Sequence, residues 1–132
     1  MKDVIDTRFL AEYSNSTNSA VIEKTHRKLK SLTEQNKGII PTIVIAEMIQ
    51  ITCSRLGKDM AGSVYQALIQ SGLEIQSLTP QIAQQAGLYK SIHKNLPMGD
   101  CIIAATALLN HARILSDDPH FDNIDEIKRV WI

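Results

Sequence analysis

The sequence predicts an α/β fold: a mainly parallel sheet covered by helices on both faces. Short apolar runs bounded by turn residues alternate with longer segments whose apolar positions recur at helical spacing. The strand-like runs are too apolar for a sheet with one wet face, so helices must cover both sides. With 132 residues, 44% hydrophobic and 21% charged, the chain suits one domain over 1–132 that buries roughly two-thirds of its unfolded surface.

Lys2 to Asp6 reads as a first buried strand ending in a carboxylate, and Thr7 to Tyr13 opens a helix. After a polar break at Ser14 to Ser19, Ala20 to Gln35 carries Ile22, Leu29 and Leu32 on one helical face. Gly38-Ile39-Ile40 is a second strand stopped by Pro41, which then begins a helix carrying Ile45, Met48, Ile49, Thr52 and Leu56. Gly57 ends that helix, and another runs from about Lys58 to Gln70, closed by Gly72. Leu73 to Ser77 reads as a strand, and Thr79-Pro80 is a cap and first turn for a helix reaching His93. Pro97 to Asn110 is the most apolar helix, followed by a strand at Ala112 to Leu115 and a last one at Lys128 to Ile132.

Fourteen basic and fourteen acidic residues give zero formal charge, which argues against a protein that merely coats nucleic acid or anionic membrane. The sum hides segregation: residues 1–37 hold seven basic and five acidic groups, while 117–132 hold five acidic and two basic. No secretory leader is expected, and no apolar tract approaches the ~20 residues of a membrane span. Cys53 and Cys101 sit in apolar helical patterns without metal-ligand spacing, so both are expected as buried free thiols in a reducing, cytoplasmic setting.

The acids at strand and helix ends carry the chemistry. Asp6 ends the first strand, Asp117 and Asp118 follow the fourth, Asp100 starts the last long helix, and Glu47 lies on a partly apolar helix face. Singly, each has a plain reading: strand-end aspartates serve as turn residues, Asp100 as a helix cap, Glu47 as a rim charge. Together they fall where parallel sheets collect ligands, beyond the carboxyl ends of the strands. Carboxylates about 5 Å apart repel by about 3 kcal/mol per pair at an effective dielectric near 20, which calls for a compensating cation. Oxygen donors suit Mg²⁺ or Mn²⁺, and such sites serve phosphodiester chemistry. The four histidines show no paired ligand spacing.

Four stretches carry a family resemblance. Val4-Ile5-Asp6-Thr7-Arg8-Phe9-Leu10, Pro41 to Met48, Met98 to Ala107 and Ile114 to Phe121 resemble, in order, the acidic motifs of PIN-domain ribonucleases. The resemblance implies a three-layer α/β/α fold and the acid set Asp6, Glu47, Asp100 and Asp118. Asp117 ranks second to Asp118, because the family's acid stands two places after a hydroxyl, here Ser116. His120 departs from relatives that carry a further acid there.

The implied reaction is Mg²⁺- or Mn²⁺-dependent hydrolysis of RNA. The metal would be held by Asp6, Asp100 and Asp118, with Glu47 direct or through water, and Thr7 and Ser116 orienting ligands. Arg8 would grip a substrate phosphate or pair with a neighbouring acid. The Lys24, Arg27, Lys28 and Lys30 group reads as a solvated helix face or a modest RNA track. Short PIN proteins are commonly toxins of the VapC type, forming homodimers silenced by a small antitoxin. A housekeeping RNA-processing nuclease and a catalytically silent PIN binding module are the alternatives.

Overall fold

A computed structural model describes residues 1–132. Five strands, β1 (Asp3–Ile5), β2 (Gly38–Pro41), β3 (Glu74–Gln76), β4 (Arg113–Leu115) and β5 (Arg129–Val130), form one sheet in the order β3-β2-β1-β4-β5. Every neighbouring pair is parallel. Six α-helices connect them: α1 (Thr7–Asn15), α2 (Ser19–Glu34), α3 (Thr42–Leu56), α4 (Lys58–Ile69), α5 (Pro80–Ile92) and α6 (Met98–Leu109). A single 3₁₀ segment, Pro119–Asn123, lies between β4 and β5.

Strand order explains the layers. The path β1→β2→β3 steps one way along the sheet, so right-handed crossovers place α1 to α4 on one face. The return from β3 to β4 through α5 and α6 covers the other. Val4, Ile5, Ile39, Ile40, Ile114 and Leu115 are fully buried between these layers, which explains their uninterrupted apolar runs. Helix α6 buries Cys101, Ile103, Ala104, Ala105, Thr106 and Ala107, and all but Ile103 are small enough to let it lie close to sheet and neighbour. Phe9 meets Trp131 edge-on with ring centres 6.0 Å apart, fastening the end of the chain to α1.

Local chemistry sets the boundaries. Asn18 caps α2 by accepting from Ala20 and Val21 N–H, and Thr79 caps α5 through Ile82 N–H at 3.2 Å. Gly57 takes φ +89, ψ 173, a backbone region open essentially to glycine, so α3 can turn into α4 across one residue. Gly38 answers a different need: a Cβ there would stand 2.5 Å from Leu73 Cδ2 and 3.2 Å from Leu32 Cβ. Gly38→Ala should therefore destabilise the fold by about 1–3 kcal/mol, read as a lowered urea midpoint with unchanged slope.

Three expectations change. Pro41 does not stop β2 but is its last residue, in register with Gln76, and helix α3 starts one residue later. Cys53 is exposed, and only Cys101 is buried. The buried positions of α3 are Val44, Ile45, Met48 and Thr52, and Cys53 falls one residue off that stripe. Lys28 is not part of a solvated face: its ammonium lies 2.9 Å from Asp3 Oδ2, which has no solvent exposure. Arg113 closes the other side, with Nε 2.8 Å and Nη2 2.7 Å from Asp3 Oδ1. This triad links α2, β1 and β4 at the amino end of the sheet.

Candidate active site

The strand order reverses between β1 and β4, and the crevice of a parallel sheet opens at that switch point, beyond the strands' carboxyl ends. Ile5 is in register with Leu115, so the next residues, Asp6 and Ser116, emerge side by side. Helices α1 and α3 start at this end because they leave strands there. Helix α6 starts there because it runs back to feed β4. Three helix N-termini, with their favourable dipole ends, thus face the carboxylates brought by β1, α3, α6 and the segment after β4.

Asp6 is 3% exposed and tightly held. Its Oδ1 accepts from Thr7 N–H at 2.8 Å, capping α1, and its Oδ2 accepts from the Ser116 hydroxyl at 2.6 Å. Burial pushes its pKa up, the two hydrogen bonds pull it down, and the charges of Glu47 and Asp118 push it up again. Ser116 Oγ also accepts from Asp118 N–H at 3.0 Å, so one hydroxyl ties the first acid to the segment bearing the last.

Glu47 turns one oxygen to the Thr7 hydroxyl at 2.8 Å. Its Oε2 lies where a side chain on residue 99 would be, 3.3 Å from an ideal Cβ, so the start of α6 approaches it closely because Gly99 has none. Asp100 follows in the first turn of α6 and makes no cap: that helix has no side-chain capping bond. Instead its carboxyl is pushed up to about 6, first by burial, then by Asp6, Asp118 and Glu47, with His120 the only opposing influence. No hydrogen bond from the chain offsets this.

Asp118 Oδ1 accepts from His120 N–H at 2.9 Å, with the His120 Nδ1 3.0 Å away. Asp117 points to a different partner, the exposed guanidinium of Arg8. Of the two options for Arg8, the structure displays the ion pair.

The acids are therefore neighbours electrostatically, but they do not form a ready-made cage. No three of them stand close enough together to ligate one ion. Asp6, Glu47 and Asp118 are each turned to a donor of the chain, which relieves the like-charge repulsion that convergence would bring. The donor set fits a hard divalent cation in kind: four carboxylates, without thiols, at one end of the sheet. Asp100 supplies the sharpest sign of fit, a half-buried acid surrounded by acids and lacking a donor.

Sequence reasoning missed the close approach of Gly99 to Glu47, whose signal is a glycine directly before the acid that starts α6. It also missed an apolar groove of about 600 Å³ where α1 to α4 meet, with Leu10, Tyr13, Leu29, Met48, Val64 and Leu68 among its walls. Contributions from four separate helices leave no local signal for such a groove.

The family model of the PIN domain matches residues 4–127. A search of characterised proteins by sequence gives no significant match. Among solved structures, VapBC2 from Rickettsia felis bound to a promoter DNA fragment superposes with TM-score 0.81 and 18% identity, covering 100% of this chain and 99% of that one. DNA-bound VapBC from Salmonella typhimurium gives TM-score 0.80 and 18% identity over 99% of this chain and 98% of that one. VapC20 from Mycobacterium tuberculosis, described as a sarcin-ricin loop cleaving toxin, gives 0.74 and 15% identity over 94% and 95% of the two chains. At these identities the likeness concerns the fold.

Proposed function

The chain belongs to the PIN domain family, and on that premise we propose that it is a Mg²⁺- or Mn²⁺-dependent endoribonuclease, the toxin of a VapBC-type pair. The observation that carries the reading is the convergence of acids at the β1–β4 switch point, where the Ser116 hydroxyl joins Asp6 to the Asp118 backbone and Thr7 joins Glu47 to the same corner, with Asp100 pushed up to about 6 beside them. A hard cation is the economical partner for such a group.

Asp6, Asp100 and Asp118 would hold the ion, with Glu47 direct or through water and Asp117 the second choice to Asp118. A divalent ion held there would lower the pKa of water and polarise a phosphate. The remaining work falls to the chain. Ser116 fixes the Asp6 carboxylate, and Thr7 fixes Glu47 by its hydroxyl and Asp6 by its backbone N–H. Arg8, exposed and shared with Asp117, is placed to exchange that partner for a substrate phosphate at small cost, because surface ion pairs are weak.

A small antitoxin is the proposed partner, in keeping with the complexes that share the fold. The α1–α4 groove offers it an apolar seat apart from the acids. A homodimer and a cytoplasmic site of action belong to the same proposal; no helix is long and apolar enough to cross a membrane.

The test is cleavage of varied RNAs by the purified chain, in chelator and after Mg²⁺ or Mn²⁺ is restored. Wild type should cut only with metal. Asp118→Asn should lose at least about 100-fold in rate, while Asp117→Asn, which removes only an Arg8 partner, should lose less than about tenfold. Cleavage in chelator, or equal losses in both variants, contradicts the assignment.

A further inference from the structure

Beside the acid cleft, the connection between α5 and α6 and the 3₁₀ segment after β4 border a second, solvent-open cavity of about 280 Å³. Its polar walls are His93, Lys94 and Asn95 on one side and His120 and Asn123 on the other, and no carboxylate lines it. That is unusual ground next to a cleft with four acids.

Both walls are held in place. The Lys90 ammonium donates to the carbonyls of Lys94 and Leu96, each at 2.8 Å, which fixes the bend between the helices. The opposite wall is anchored by Phe121, which is fully buried, and by the hydrogen bond from His120 N–H to Asp118. Through that bond the cavity adjoins one of the acids.

We propose that this cavity receives one unpaired nucleobase of the RNA strand, next to the cleaved bond, and so sets a base preference at that position. The inference rests on the nuclease reading. Size favours it: the volume falls just below that of ordinary ligand pockets, which start at about 300 Å³, and suits one ring system rather than a larger ligand. Chemistry favours a base over a bare anion. Asn95 and Asn123 each offer a donor and an acceptor, the combination that reads a base edge, and imidazole faces stack on bases. An anion would leave the two amide acceptors unused. Lys94, whose side chain is exposed, supplies a cation for the phosphate of the captured nucleotide.

The experiment is metal-dependent cleavage of a randomised RNA pool by the full chain, with sequencing of the new ends, followed by kinetics on the preferred substrate. Wild type should favour one base at a single flanking position. Asn95→Ala and Asn123→Ala should flatten that preference and raise KM about tenfold, with a smaller change in kcat. Lys94→Gln should raise KM for every sequence alike. Thermal melts separate these effects from unfolding. Variants that keep both preference and KM overturn the proposal, as does a response confined to Lys94→Gln, which would mean an anion contact alone. A wild type that cuts no RNA defeats the nuclease reading itself, an outcome distinct from cutting without a base preference.

Discussion

Asp100→Asn is expected to abolish RNA cleavage and, at the same time, to make the metal-free protein harder to melt near neutral pH. The two effects have one cause. Asp100 has an ordinary pKa of 3.8 and is pushed up to about 6 in the folded chain, so the folded state holds this proton more tightly than the unfolded state. The resulting stabilisation is complete below 3.8 and is lost as pH rises through about 6. Near neutrality the wild type has lost it, whereas an amide in the same place never ionises.

Because Asp100 is only half-buried, solvent screening leaves about 1 kcal/mol, or about 3 °C in Tm. The variant should therefore melt higher than wild type in chelator at neutral pH, and the gap should close as pH falls toward 4. Saturating Mg²⁺ should reverse the order, since ligand that binds only the folded wild type raises its Tm. Activity should fall by about 1000-fold or more, the loss of roughly 4 kcal/mol of transition-state stabilisation. Melting curves across pH, with and without metal, check all of this. A variant that melts lower than wild type in chelator at neutral pH would show that Asp100 is not held against its charge.

The second large effect lies at the opposite end of the sheet. Asp3→Asn should cost about 3 kcal/mol of stability, about 10 °C in Tm, and leave metal-dependent cleavage in the residual folded protein intact. Asp3 has no exposed side-chain surface and meets both Lys28 and Arg113. A neutral amide keeps the shape but cannot balance two cations. The cost falls at the low end of the range for broken buried pairs because both cations keep about a quarter of their surface in water, 28% and 26%. A Tm within about 2 °C of wild type would place the triad among surface ion pairs of little energetic value.

Much of the candidate site was legible because strand ends are legible. Asp6 directly follows Val4-Ile5, and Ser116 to Asp118 follow Ile114-Leu115, so a parallel sheet brings them to one edge whatever its exact strand order. Asp100 is readable from a helix start and Glu47 from a partly apolar helix face, and helices of an α/β unit begin or return at that edge. Partners were less legible than places. The Ser116 hydroxyl on Asp6 spans 110 residues of sequence, and the pairing of Arg8 with Asp117 rather than Asp118 depends on local backbone direction.

Lys28 departs from the basic-face expectation for a different reason. Lys24, Arg27, Lys28 and Lys30 look like one basic face, yet Thr25 and Leu32 are the buried residues of α2, and Lys28 lies one turn from each. The helical period contained the answer, but it required Asp3 to be a buried partner, and a charge beside a strand start usually signals solvent. The wall of His93, Lys94 and Asn95 against His120 and Asn123 gave no signal at all, since two irregular segments meet there without shared periodicity.

Everything proposed for the acid cleft depends on its binding a divalent cation. Its most direct test is a titration of the purified chain with Mn²⁺, following the electron spin resonance signal of the free ion. Wild type should take up Mn²⁺ saturably near neutral pH, and Asp6→Asn should bind it at least about tenfold more weakly. A wild type that leaves the signal as in buffer, or an Asp6→Asn variant that binds Mn²⁺ as tightly, would contradict it.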